Sequence, residues 1–357
     1  MRYFFPGLIA GALAALLLFS PTTGTGIHPE WWSAIKAIPA LEQSPVNRSA
    51  KVRFFVKADD AAFFLLKGNG AVAVSGRVPD GLAAFSGNGK YYVRYHKVGE
   101  EVEFFNATGE RFWKIDSMEY PYLSHGGKLI FLMNGDHTGI RIVDYNGNLS
   151  GTRIAGRTCT AIAFSDAGDF GGIGFLDGTY YFVSPGGNVI HRGRAPLGAM
   201  VKGIAISGNG RYAAVHFGTT RADRLRVIDI ESGDHDEAEL AHIHKVKTSI
   251  HVDGEGYCAI LDIDRILRVS KSGRVKLALA VAAKRHGHST ISRWNGIYAV
   301  SYTMQTGTSL VTLFLDDGTV LMTKEFPAES FLDATLRDGL LFIRGSDSIF
   351  CYSIRGR

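Results

Sequence analysis

From residue 51 to the C-terminus, short apolar runs alternate with polar clusters rich in Gly, Asn, Asp and Ser. The run Tyr212 to Phe217, the polar loop Gly218 to Arg224 and the alternating stretch Leu225 to Ile230 are typical. Runs this short, rich in β-branched and aromatic residues and bounded by turn formers, predict strands rather than helices. No repeating unit carries a 3.6-residue period, which excludes a solenoid of helical pairs.

The turn residues themselves recur. Ser86-Gly-Asn-Gly-Lys90, Ser124-His-Gly-Gly-Lys128, Ser165-Asp-Ala-Gly-Asp169 and Ser207-Gly-Asn-Gly-Arg211 share one phrase, and looser copies end at Gly256, Gly296 and Gly339. Successive last glycines are 38, 41, 42, 46, 40 and 43 residues apart. A second glycine follows in every unit, at 109, 147, 187, 233, 273, 318 and 356. Two strands fit between the markers. One more follows the second glycine (Arg111 to Asp116, Val275 to Leu279), and another precedes the next first glycine (Ala161 to Phe164, Gly203 to Ile206). Four short strands per unit predict an all-β fold, a β-propeller whose blades bury both faces against their neighbours.

Residues 50–70 continue the pattern upstream, with Ala50 and Gly70 on the two marker positions, so eight blades are favoured over 50–357. Seven blades, with 51–67 as an appendage, is the alternative. The first unit lacks an evident innermost strand and the last an outermost one. Ile35 to Val46, within the 21–49 linker, is the candidate for a strand that closes the ring.

Residues 1–20 differ in kind. Arg2 is followed by an uncharged apolar run from Phe4 to Phe19. As a helix that run spans about 24 Å, short of a comfortable bilayer crossing and suited to a signal peptide or short signal anchor. Whether it is cleaved or retained as a membrane tether through residues 4–19 is open. Either way the reading is export, to a periplasmic or other extracytoplasmic site. Trp31 and Trp32 are either interfacial anchors or a plug packed on the disc.

Composition narrows the classes further. With 46% hydrophobic and 20% charged residues, disorder is excluded, and three scattered cysteines exclude a disulfide scaffold. Cys159, Cys258 and Cys351 read as small buried apolar residues. The net charge of +5 is spread along the chain without a basic block, which argues against a nucleic-acid partner. No nucleophile, zinc or phosphate-loop motif occurs, and no cofactor fingerprint.

Phe105-Asn-Ala-Thr-Gly-Glu-Arg-Phe-Trp113 resembles the blade signature of quinoprotein-type propellers, in which a D-A-x-T-G turn precedes a docking tryptophan. Leu315 to Lys324 is a degenerate copy, and the S-x-x-G-[KR] turns look equally like WD40-type blades. The quinoprotein dehydrogenases hold their cofactor with adjacent cysteines, which this chain lacks. The resemblance implies instead the non-catalytic members, such as the propeller lipoprotein of the outer-membrane barrel-assembly machinery, which use the disc as a binding platform. This chain has no lipobox cysteine, so their particular partner is not implied.

Strand direction sorts the loops into two faces. The loops between the second and third strands share a face with the crossovers to the next blade; the glycine-marked turns emerge opposite. The crossover face collects Asp59-Asp60, Glu100-Glu101, Asp136-His137, Asp177, Thr219 to Arg224, Asp262 to Asp264 and Ser346-Asp347. Such a carboxylate rim suits a cation or a basic partner, unless the Asp residues serve only as turn formers. His242 and His244 lie in one crossover, and His286 and His288 are expected in the next. Together they are candidates for a tetrahedral metal site, opposed by Lys245, Lys247, Lys284 and Arg285. The reading that results is a scaffold whose contacts to a protein partner come from Asp136, His137, Arg221, Asp223 and His244. The alternative is a metal-dependent lyase or hydrolase.

Overall fold

The computed structural model describes residues 25–40, 53–57, 62–77, 82–96, 99–282, 284–327 and 332–356. They form 31 strands in eight antiparallel sheets, and one short 3-10 helix, Ile35–Ala40. The sheets are the blades of the expected all-β propeller: blade 1 (53–77), 2 (82–116), 3 (120–155), 4 (159–194), 5 (200–239), 6 (250–280), 7 (285–326) and 8 (333–356 with 25–34). In blades 2 to 7 the four strands pair in chain order. Blade 1 shows three strands among the described residues. The apolar segment 4–19, and the helix expected there, lie outside them.

The repeating turn phrase has a physical basis at both ends. The first-marker glycines from Gly89 to Gly339 and the second-marker glycines from Gly70 to Gly318 all have positive φ, where a side chain is disfavoured. At Gly168 a Cβ would also overlap the carbonyl oxygen of Gly208 in the next blade's turn. The serine that opens each phrase turns its hydroxyl inward. Ser86, Ser124, Ser165 and Ser207 are buried, and each Oγ accepts the backbone N–H five residues on, at 3.0 to 3.1 Å. In blade 6 Asp253 replaces the serine, its Oδ1 accepting from Tyr257 N–H at 2.9 Å.

The core lies between the blades rather than inside any one of them. Phe131, Ile142, Ile173 and Phe175 join blades 3 and 4; Val201, Val215 and Phe217 pack blade 5 on Phe182 of blade 4. Innermost strands of consecutive blades stand side by side around an axis. Trp113, the docking tryptophan of the family-like motif, donates from Nε1 to the Tyr145 carbonyl of blade 3 at 3.0 Å and stacks on Phe104. Cys258 and Cys351 are buried and Cys159 half-buried, all three unpaired.

The ring closes differently from the expectation. Thr25–Ala34, upstream of the expected Ile35 to Val46, supplies the outermost strand of blade 8, pairing antiparallel with Ser348–Gly356; residues 41–46 lie outside the described residues. Ile35–Ala40 turns inward as the 3-10 helix, with Ile35 and Ile38 buried. Pro29 obscured this strand in the sequence. It sits at a bulge on a sheet edge, where no backbone N–H is needed. The two tryptophans separate: Trp31 packs on Phe342 and donates from Nε1 to the Gly68 carbonyl of blade 1 at 2.9 Å, while Trp32 is 67% exposed. Phe54 of blade 1 stacks on Phe342 of blade 8, and Phe55 on Phe85 of blade 2, which completes the circle.

Candidate interaction face

Blades 5 and 6 carry a buried polar network directly beneath the crossover face. Asp223 begins the third strand of blade 5 and is fully buried. Its Oδ1 accepts from Lys202 Nζ at 2.6 Å, and its Oδ2 from His216 Nε2 at 3.0 Å and the His244 backbone N–H at 2.8 Å. Burial pushes the Asp223 carboxyl up, but the His216 and Lys202 hydrogen bonds outweigh it and hold the group below the ordinary carboxylate range. Burial pushes the His216 imidazole down to about 4, against the pull of Asp223. His216 is therefore neutral at pH 7, donating from Nε2 and accepting at Nδ1 from the Thr248 hydroxyl at 2.6 Å.

Asp262, at the end of the second strand of blade 6, repeats the arrangement from the other side. It accepts from the Ala241 N–H at 3.1 Å, from His244 Nε2 at 3.0 Å and from His242 Nδ1 at 3.3 Å. The crossover 240–249 is thus gripped by two buried carboxylates from consecutive blades. Inside the loop the residues sort by contact. His244 and Thr248 are buried, while Ile243, Lys245, Val246 and Lys247 face solvent.

The expected contact residues divide along the same line. Asp136, His137 and Arg221 are exposed on the crossover face; Asp223 and His244 are buried and position it instead. His137 has φ of 60°, and Asp136 Oδ1 holds this turn by accepting from Thr138 N–H at 3.0 Å. The four candidate metal histidines do not converge. His242 and His244 meet at Asp262, whereas His288 pairs with Asp333 of blade 8 at 3.2 Å. His286 and His288 lie in the first strand of blade 7, Arg285–Trp294, and not in a crossover.

Sequence reasoning missed Lys202 and His216, which sit in apolar strand runs where no motif marks them. His216, Asp223 and His244 do place one ligand atom each within 4.8 Å of one another. The Lys202 ammonium already supplies the positive charge that a metal ion would bring to Asp223, so the group is a self-neutralised clasp.

Part of the carboxylate rim is likewise spent internally, whereas Glu100, Asp136 and Asp347 stay exposed. Asp177 pairs with Arg157 at 3.1 Å, Asp264 with Arg265 at 2.8 Å and Glu101 with Lys114 at 2.5 Å. Asp59 and Asp60 lie outside the described residues. At the opposite end, a cavity of about 710 Å³ opens along the axis beside blades 7, 8, 1 and 2 and the turns of blades 3 and 4. Phe54, Phe85, His125, Asp166, Arg337 and Arg344 are among its walls. Arg337 reaches across it towards the Gly87 carbonyl at 3.4 Å.

No protein-family model and no curated protein matches this chain in sequence. Among solved structures, BamB from Moraxella catarrhalis superposes with a TM-score of 0.58 over 92% of this chain and 99% of BamB, at 13% identity. The likeness is one of fold. A second match, KlHsv2 with loop 6CD replaced by a Gly-Ser linker, reaches a TM-score of 0.51 at 12% identity, covering 75% of this chain and 91% of that one.

Proposed function

We propose that the protein is a non-catalytic scaffold that binds another protein through its crossover face, as an exported or membrane-tethered component of an envelope complex. The observation that carries this reading is the clasp on crossover 240–249. Asp223 and Asp262 fix the loop from two sides, yet Ile243, Lys245 and Val246 project outward without a partner among the described residues. A buried ionic network contributes little net stability, and one recognised use for such groups is to specify a single arrangement. Rigid presentation of loop side chains lowers the entropic cost of binding. Asp136, His137 and Arg221 are then contact residues, and Asp223 and His244 positioning residues.

The likeness in fold to BamB and the resemblance to non-catalytic propellers support a protein partner. The apolar run 4–19 supports export and, if retained, a membrane tether. Among the described residues no helix is long and apolar enough to cross a membrane. Affinity purification of the full chain from solubilised membranes tests the proposal. A stoichiometric protein partner, lost when Asp136, His137 and Arg221 are replaced together, is expected. Recovery of the chain alone, with a bound metal and a metal-dependent activity, would overturn it.

A further inference from the structure

Exposed aliphatic side chains gather on one sector of the crossover face. Leu176 stands in the second-to-third strand loop of blade 4, Leu197 in the crossover to blade 5, and Ile243 and Val246 in the crossover to blade 6. Leu197 is 93% exposed, the most of any large apolar residue described. These loops are contiguous. Ala195 N–H donates to the Gly178 carbonyl at 2.9 Å, and Leu240 N–H to the Asp223 carbonyl at 2.9 Å. The strand ends Met200 and Gly218 pair between them.

The charges of the same sector do not balance. Asp177 is taken by Arg157, Asp264 by Arg265, Asp223 by Lys202, and Asp262 by His242 and His244. Arg221, Lys245 and Lys247 remain, exposed and without a carboxylate partner among the described residues, against one exposed carboxylate beside the crossover, Glu239. Lys247 keeps solvent access but sits amid enough protein that desolvation pulls its ammonium below the ordinary range. An arriving carboxylate would relieve that cost.

We infer that this sector, from Leu176 to Val246, receives an acidic, apolar segment of the protein partner, its aliphatic side chains meeting Leu197, Ile243 and Val246 and its carboxylates meeting Arg221, Lys245 and Lys247. The inference rests on the scaffold reading and adds the place and the partner's chemistry. An apolar centre with a charged rim is the ordinary anatomy of such an interface. An anionic bilayer fits less well. Three cations contribute only about 1 kcal/mol each near such a surface, and the sector exposes no Trp or Tyr to seat in the headgroup layer.

The test places a photoreactive residue at Leu197 or Ile243 of the full chain, and at Asn146 or Ser272 on the opposite face, in native cells. The trapped segment is then sequenced. Protein adducts at Leu197 and Ile243, carrying a segment rich in Asp or Glu and aliphatic residues, are expected. Arg221→Glu with Lys245→Glu should lower their yield on the order of tenfold, as should raising salt to about 0.5 M in isolated membranes. Both residues are exposed, so an unchanged circular dichroism spectrum checks that the variant folds. Adducts only at Asn146 or Ser272, lipid adducts at Leu197, or a basic trapped segment would overturn the inference while leaving the protein's platform role or membrane contact to be read from the same gel. Absence of protein adducts at all four positions would overturn both.

Discussion

The carboxylate of Asp223 lies 2.8 Å from the backbone nitrogen of His244, 21 residues further along the chain and in the loop leading to the next blade. This one contact ties the outer face of the propeller to its interior. Asp223 faces a buried ammonium, a neutral imidazole and a backbone N–H at once. Removing it strands all three.

Asp223→Ala is accordingly expected to destabilise the protein by about 3 kcal/mol or more, since it leaves Lys202 charged and buried. The double replacement Lys202→Met with Asp223→Leu should cost less than the single one. Urea denaturation of the three proteins measures both effects. Hydrogen exchange should show the largest loss of protection at residues 240–249.

The second expectation concerns acid. Burial pushes both His216 and His125 down to about 4. In the unfolded chain each titrates near 6.5, so between about 6.5 and 4 the unfolded state binds more protons. Stability is thus full above that window and lost as pH falls through it. Below it, Asp223 and Asp262, held under the ordinary range, extend the loss. Thermal midpoints should fall steadily from pH 7 to 5, and His216→Gln with His125→Gln should flatten the slope. A midpoint unchanged over that range would contradict the burial of neutral imidazoles.

Ring closure by the N-terminal strand gives a contrast between neighbours. Trp31→Ala removes a packed indole and its hydrogen bond to Gly68 and should cost about 3 kcal/mol. Trp32→Ala, at an exposed position, should change stability by no more than about 0.5 kcal/mol. Deleting 25–34 should leave the strand 348–356 as an open edge and promote self-association, visible by size-exclusion chromatography.

These features were unequally legible in the sequence. The marker glycines and the turn serines could be read because each satisfies a local demand, a positive φ or a hydroxyl bridging five residues. The closing strand could not, since Thr25–Ala34 pairs with residues more than 300 positions away and carries Pro29. His244 and Lys245 are adjacent polar residues of one loop, yet the first is buried and the second exposed. Only Asp223 and Asp262, supplied by two different blades, determine which turns inward. The first strand of blade 7 starts earlier than the turn residues predict, at Arg285 with a bulge before Ser289, and so takes in His286 and His288.

Lysine-specific cross-linking of the complex purified from membranes tests the central claim most directly, because exposed lysines mark both faces. Lys245, Lys247 and Lys284 report the crossover face, and Lys90, Lys128 and Lys271 the glycine-turn face. Links to the partner from the first three, with the last three joined only within the chain or not at all, are expected. Links to the partner from Lys90, Lys128 and Lys271 alone would contradict a platform built on the crossover face.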